Sequence, residues 1–133
     1  KEVIREIQAN MHYNSLDFTG KSTLKELAAL YDQTDVVIST DTGPMHIAAA
    51  MSTPVVALFG PTAPWRTGPY GDMHHVLRSS ISCSPCFKRQ CPLAKDRKKC
   101  METIAVEQVV NAVLDIIEQK QQPTTTFGEV AAI

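Results

Sequence analysis

The sequence predicts an α/β domain built on a parallel sheet, and three observations carry that prediction. Val36-Val37-Ile38 is a β-branched apolar run that ends in Ser39-Thr40-Asp41-Thr42 and passes at Gly43-Pro44 into Met45-His46-Ile47-Ala48-Ala49-Ala50-Met51, a helix with proline in its first turn. Pro54-Val55-Val56-Ala57-Leu58-Phe59-Gly60 is an unbroken apolar run, the pattern of a strand buried on both faces. Strand and helix patterns alternate along the chain, which calls for parallel pairing through right-handed crossovers.

The elements follow in order. Val3, Ile4, Ile7 and Met11 fall at helical spacing, with no capping residue and no initiator methionine before them, so the chain is expected to start inside a helix and to be part of something longer. Leu16-Asp17-Phe18, with Thr19-Gly20 behind it, predicts a short strand and turn. Thr23-Leu24-Lys25-Glu26 is a capping box opening a helix whose buried face is Leu24, Leu27, Ala28 and Tyr31. After the strands at Val36 and Pro54, Pro61 to Asp72 is too rich in proline and glycine for regular structure and lies beyond a strand's carboxyl end, where loops often carry function. Trp65 within it is read either as functional or as packed onto the domain. His75-Val76-Leu77-Arg78 is a weaker strand, and Val106, Val109, Val110, Val113, Leu114 and Ile117 line one side of a closing helix. From Gln119 the chain turns polar and is broken by Pro123, which divides it into a domain over 1–118 and a flexible tail over 119–133.

Composition narrows the function. The 133 residues, 44% hydrophobic, suffice for one core. A formal net charge of -1 argues against a general nucleic-acid binder, and no apolar run approaches the roughly 20 residues of a membrane span. The charged start Lys1-Glu2-Val3-Ile4-Arg5-Glu6 is unlike a signal peptide, so the expected address is cytoplasmic, with peripheral attachment to the inner membrane left open.

The strand-to-helix junction is the candidate site. Ligands bind at the carboxyl ends of strands in α/β sheets, and the amides and positive dipole end of a helix favour an anion, most often phosphate. Gly43 permits close backbone approach, Thr42 offers a hydroxyl, and His46, one turn in, offers a ring N–H. Asp41 suits the fixing of turn amides or acceptance of hydrogen bonds from sugar hydroxyls. The plainer reading is an ordinary helix start, with Asp or Thr as N-cap.

Phe18-Thr19-Gly20-Lys21-Ser22-Thr23-Leu24, then Asp41-Thr42-Gly43-Pro44-Met45-His46 with Ala48-Ala49-Ala50, then Pro54 to Thr62, together resemble the heptosyltransferase family, in order and spacing, from about residue 16 to about residue 117. The resemblance implies the C-terminal, donor-binding domain of a two-domain GT-B glycosyltransferase, Rossmann-like and lacking its first two strands. It implies an inverting enzyme that transfers heptose from ADP-heptose to the lipopolysaccharide inner core, a phosphorylated glycolipid. The family's Asp-Thr/Ser-Gly-x-x-His motif, which holds the donor, falls on Asp41, Thr42, Gly43 and His46, with Pro44 and Met45 supplying the helix start. The general base belongs to the absent N-terminal domain, so no catalytic residue is expected in this chain, which alone should be inactive. The basic residue that the family sets against the diphosphate is also missing. No Asp-x-Asp pair is present to hold a divalent ion, in keeping with metal-independent transfer. In a sheet ordered 3-2-1-4-5-6, the Leu16 strand would be third and the Val36 strand fourth. Without strands one and two, residues 1–20 are expected to be displaced, swapped with a neighbouring chain or packed non-natively, and the fragment to self-associate.

All four cysteines, Cys83, Cys86, Cys91 and Cys100, lie in one short stretch that also holds Lys88, Arg89, Lys95, Arg97, Lys98 and Lys99 against Asp96 alone, a local charge of +5. A structural zinc site, two disulfides and free thiols all fit this spacing. Two other functions fit the chain as a whole: a transferase or epimerase using another nucleotide sugar, and a zinc- or thiol-dependent interaction module.

Overall fold

The structure, a computed structural model, describes residues 2–93, 95 and 97–121. In chain order the elements are α1 (Glu2–Ala9), α2 (Leu24–Asp32), β1 (Val37–Thr40), α3 (Gly43–Ala50), β2 (Val55–Phe59), α4 (Pro64–Thr67), β3 (His75–Arg78), α5 (Lys99–Glu102) and α6 (Val106–Gln121). The strands form one parallel sheet in the order β1-β2-β3, with Val37 opposite Val55 and Val56 opposite His75. This is the sequential order that strands four to six have in a doubly wound sheet.

The unbroken apolar run of β2 makes it the central strand, because its residues must be covered from above and below. Val55, Ala57 and Phe59 point to one face and meet Val37, Met45 and Ala48, with Tyr31 of α2 packed against them. Val56 points to the other face and meets Ala112 and Ile116 of α6, flanked by Val36, Leu58, Leu77, Val109 and Val113. Helices therefore cover both faces of the sheet, as parallel strands require. Buried polar groups are paired: Thr53 Oγ1 donates to the Tyr31 carbonyl at 2.7 Å, and the Val55 amide donates to His74 Nδ1 at 3.1 Å. The Thr23–Glu26 capping box forms as predicted, with both reciprocal bonds present.

Several expectations are corrected. Leu16 to Phe18 form no strand; Leu16 is 83% exposed, and residues 2–20 take no part in the sheet. The slot for such a strand lies two strands away from β1, so there is nothing for it to pair with. The α1 helix exists but buries none of its residues. In α2, Leu24 is 72% exposed, because only the Leu27, Ala28 and Tyr31 side of the helix turns inward. The first strand begins at Val37 and extends through Ser39 and Thr40, and Ile38 is exposed. Its side chain points to the face of α6, which lies over β2 and β3. On α6 the buried row is Val109, Ala112, Val113 and Ile116, while Val106 is 72% exposed and Val110 and Leu114 are also exposed. Two adjacent apolar rows run along this helix, and only the one containing the small Ala112 can come close to Val56. The segment from Pro61 to Asp72 is not wholly irregular, since Pro64–Thr67 forms the one-turn helix α4. The closing helix extends to Gln121, three residues past the expected boundary of the tail; residues 122–133 lie outside the described residues.

Candidate functional site at the carboxyl end of the sheet

The chain leaves β1 at Thr40 and enters α3 through Asp41 and Thr42. Thr42 is the N-cap residue by backbone conformation, with φ -147° and ψ 166°, but its side chain does not cap the helix. Its hydroxyl donates instead to the Thr40 carbonyl at 3.2 Å and lies 3.3 Å from Ser39 Oγ. Pro44 in the first turn has no amide to offer, and the Met45 amide is satisfied by the Thr42 carbonyl at 3.1 Å. The turn thus begins a helix without a side-chain oxygen occupying the place where an anion would sit. A Cβ added at Gly43 would meet nothing within 4 Å, so the backbone there faces open space.

The six residues read as donor-binding separate into three groups. Thr42, Gly43, Pro44 and His46 are exposed. Met45 is completely buried in the core beside Phe59 and Val55, so its side chain anchors α3 to the sheet and cannot touch a ligand. Asp41 turns towards α4: its Oδ2 accepts a 2.7 Å hydrogen bond from Thr67 Oγ1. The fixing role expected of Asp41 is therefore exercised on a side chain from the next loop, leaving its other oxygen available.

That loop is more structured than its composition suggests. Pro64 at the first helical position sets φ for α4, and the Gly68 amide closes the turn on the Pro64 carbonyl at 2.7 Å. A Cβ at Gly68 would approach that carbonyl oxygen to 2.5 Å, so only glycine fits. The single turn then holds three neighbours together. Thr67 binds Asp41, the Arg78 guanidinium of β3 lies 5.0 Å from the Trp65 ring, and Arg66 lies 5.0 Å from the Phe87 ring. Trp65 itself is 65% exposed and is not packed onto the domain; it is a platform for Arg78. Thr67, Arg66 and Arg78 stand beside the candidate site and were not singled out by the sequence; the Ala63-Pro64 step before Trp65 was the available signal for a helix start.

A cavity of about 330 Å³ at this end is bounded by Thr40 and Asp41 from the end of β1, by Gly60, Pro61 and Thr62 from the end of β2, and by the cysteine stretch. All four cysteines line it, together with Lys88, Arg89, Lys98 and Lys99. Thr42, Gly43 and His46 stand outside its lining. The cysteine stretch is fastened to the end of β2: Ser84 Oγ donates to the Gly60 carbonyl at 2.6 Å and the Phe87 amide to the Pro61 carbonyl at 2.8 Å. Behind it, Ser79 and Thr103 share a 2.9 Å hydroxyl pair. The four thiols are free. Amides of Lys98 and Leu93 donate to the Cys91 sulfur and hold its pKa below the usual thiol value, whereas burial, and then the neighbouring Cys83, Cys86 and Cys91, push that of Cys100 up. As placed, no three His, Cys, Asp or Glu side chains among the described residues are close enough to grip an ion. No helix among those residues is long and apolar enough to cross a membrane.

Comparison with known proteins gives a consistent answer. The model of glycosyltransferase family 9 (heptosyltransferase) matches residues 1–96. The lipopolysaccharide core heptosyltransferase OpsX of Haemophilus influenzae is 40% identical over 76 residues, which are 57% of this chain and 22% of that protein. Lipopolysaccharide heptosyltransferase 1 of Pseudomonas aeruginosa is 45% identical over 64 residues, 46% of this chain and 18% of that one. Among solved structures, a family 9 glycosyl transferase from Veillonella parvula superposes with a TM-score of 0.70 at 28% identity, over 89% of this chain and 34% of its own. The fold is likewise that of E. coli ADP-heptose lps heptosyltransferase II, with a TM-score of 0.70 at 23% identity, over 91% of this chain and 34% of that one. The chain spans about a fifth to a third of the length of the relatives it matches.

Proposed function

The chain belongs to glycosyltransferase family 9 (heptosyltransferase), and on that premise we propose that it forms the donor-binding part of an inverting enzyme that transfers heptose from ADP-heptose to the lipopolysaccharide inner core. In this reading residues 1–118 are part of a donor-binding domain, and the rest of that domain and the N-terminal domain that carries the general base lie elsewhere in the whole protein. A cytoplasmic enzyme, peripheral to the inner membrane, goes with it.

The observation that carries the proposal is the open start of α3 at the carboxyl end of β1, with an uncapped first turn and free space over Gly43. When the bond between sugar and diphosphate breaks, negative charge grows on the leaving oxygen. The Gly43 amide, with the positive dipole end of α3 behind it, stabilises that charge more in the transition state than before it, without any reorganisation at the moment of reaction. The Thr42 hydroxyl and a ring N–H of His46 extend the same donor set, and the free oxygen of Asp41, steadied by Thr67, accepts from sugar hydroxyls. No divalent ion is needed for this chemistry, and the sequence carries no Asp-x-Asp pair to hold one.

The test uses the whole protein. His46→Ala should lower kcat/KM for transfer by about a hundredfold or more, the scale of losing one transition-state donor, with an unchanged thermal midpoint because His46 is exposed. Calorimetry should show ADP binding more tightly than UDP, and Thr42→Val weakening ADP. Equal affinity for the two nucleotides would favour another nucleotide sugar. Transfer unchanged by His46→Ala but abolished on replacing the cysteines would favour the interaction module.

A further inference from the structure

Two arginines at the carboxyl end of the sheet have no carboxylate to answer them. Among the described residues Arg66 and Arg78 enter no ion pair. Each lies instead over an aromatic ring, Arg66 over Phe87 and Arg78 over Trp65, both at 5.0 Å. We propose that Trp65, Arg66 and Arg78 form a subsite for the acceptor, in which the indole carries a sugar ring and the two guanidiniums take an oxyanion attached to that saccharide. The proposal rests on the donor-binding reading, which puts the transferred sugar at Asp41.

Lying over a ring engages the face of a guanidinium and leaves the N–H groups of its edge for a ligand. Arg78 uses one of them on the Ser84 carbonyl, at 3.4 Å. Arg66 comes from α4 and Arg78 from β3, yet both end at segment 84–87, which is itself tied to Gly60 and Pro61 at the end of β2. Cations positioned by rings keep their charge unanswered and lose little freedom when an anion arrives. Their planar edge matches a phosphate or a carboxylate with paired hydrogen bonds.

Trp65 supplies the other half of the site. With Arg78 over one face of the indole, an exposure of 65% places the opposite face in solvent. The C–H groups on one side of a sugar ring are apolar and lie flat against such a face. Trp65 and Thr67 share the single turn of α4, and Thr67 donates to Asp41 at 2.7 Å, so one element fixes both the platform and the aspartate. An acceptor hydroxyl has to stand beside the donor sugar to reach its anomeric carbon, and α4 is the element that adjoins Asp41 there. Asp41 contacts α4 on one side and adjoins the start of α3 on the other. Its negative charge therefore separates the oxyanion at the arginines from the diphosphate at Gly43.

The test is calorimetry on the whole protein without nucleotide. The probes are deacylated lipopolysaccharide inner core, the same core after phosphatase treatment, and the same core with its carboxylates reduced to alcohols. The wild type is expected to lose about tenfold in affinity, the scale of a hydrogen bond to a charged group, with whichever treatment removes the oxyanion. Arg66→Gln/Arg78→Gln should bind the untreated core about tenfold more weakly and bind all three probes alike. Trp65→Ala should weaken all three, with part of the loss restored in Trp65→Phe. The three side chains are exposed, so the variants are expected to fold; if one does not, the wild-type probe series is itself decisive. Equal binding of the three probes by the wild type would overturn the proposal, as would failure to bind the core at all. A double variant that binds ADP more weakly, with its affinity for the core unchanged, would assign the arginines to the donor diphosphate and overturn it too. The donor-binding reading is judged on His46→Ala and on ADP against UDP, neither of which enters this series, so the two can fail separately.

Discussion

The β1–α3 turn and the loop from Cys83 to Cys100 meet at the same end of the sheet, but they are held there by different means. The turn is fixed by secondary structure on both sides: a strand paired along its length to β2, then a helix whose Met45 is sunk in the core. The loop lacks such flanks. It depends on single hydrogen bonds to Gly60 and Pro61 and on stacking of Arg66 with Phe87. A rigid turn suits a group that must present donors to a developing charge without rearranging. A loop with few internal supports takes its shape from those few contacts with the end of β2 and with α4. Between the two lies α4, which touches the turn through Thr67 and the loop through Arg66.

Substitutions can break or sharpen this contrast. The largest effect is expected from Met45→Ala, which should cost about 2–5 kcal/mol of stability by chemical denaturation, as a buried Met truncated in a closed core. A small stability loss with a large loss of nucleotide affinity would mean that Met45 serves the ligand and that the turn is less well anchored than described. Next is a pair of matched glycine replacements. At Gly60 a Cβ would stand 2.5 Å from Met101 Sδ and 2.9 Å from Cys100 Sγ, so Gly60→Ala should cost about 1–3 kcal/mol and disturb the loop. At Gly43 the space is empty, so Gly43→Ala should change stability by no more than about 0.5 kcal/mol while weakening ADP binding to the whole protein. If both glycines behave alike, the distinction between an open turn and a crowded loop is lost.

Smaller effects probe the link between them. Thr67→Val removes the donor to Asp41 and should cost about 1 kcal/mol, the scale of one hydrogen bond to a charged partner near the surface. Binding of the sugar nucleotide should weaken with it, because Asp41 is then free to turn away. The mildest test is the order of alkylation in the reduced protein as pH rises. Cys91, whose pKa is lowered by two amides, should react at lower pH than Cys100, whose pKa is raised by burial and by its thiol neighbours. Mass spectrometry of peptides after brief iodoacetamide treatment reads this directly, and simultaneous reaction of the two would show that the loop does not differentiate them.

Much of this organisation is written in local patterns. The apolar run from Val55 to Phe59 can only be a central strand, and the Thr23–Glu26 box and the Gly43-Pro44 step mark helix starts through groups a few residues apart. The candidate motif was legible for the same reason, since a turn between a strand and a helix is specified by its own residues. Leu16 to Phe18 shows the limit: the segment has strand composition, but a strand needs a neighbour, and none is within reach. The closing helix shows another, because its two apolar rows are equally good on paper and only the position of β2 and β3 selects the row through Ala112.

The sequence by itself determined the parallel α/β layout, the identity of the central strand and the place where a helix start faces the sheet's carboxyl end, because each depends on periodicity and on residues adjacent in the chain. Only the tertiary structure decided that Met45 belongs to the core, that Asp41 is held by Thr67 twenty-six residues away, and that four cysteines share a cavity with the end of β1. Those pairings arise from crossovers that bring distant segments to one edge of the sheet, and no local pattern encodes which of them will meet.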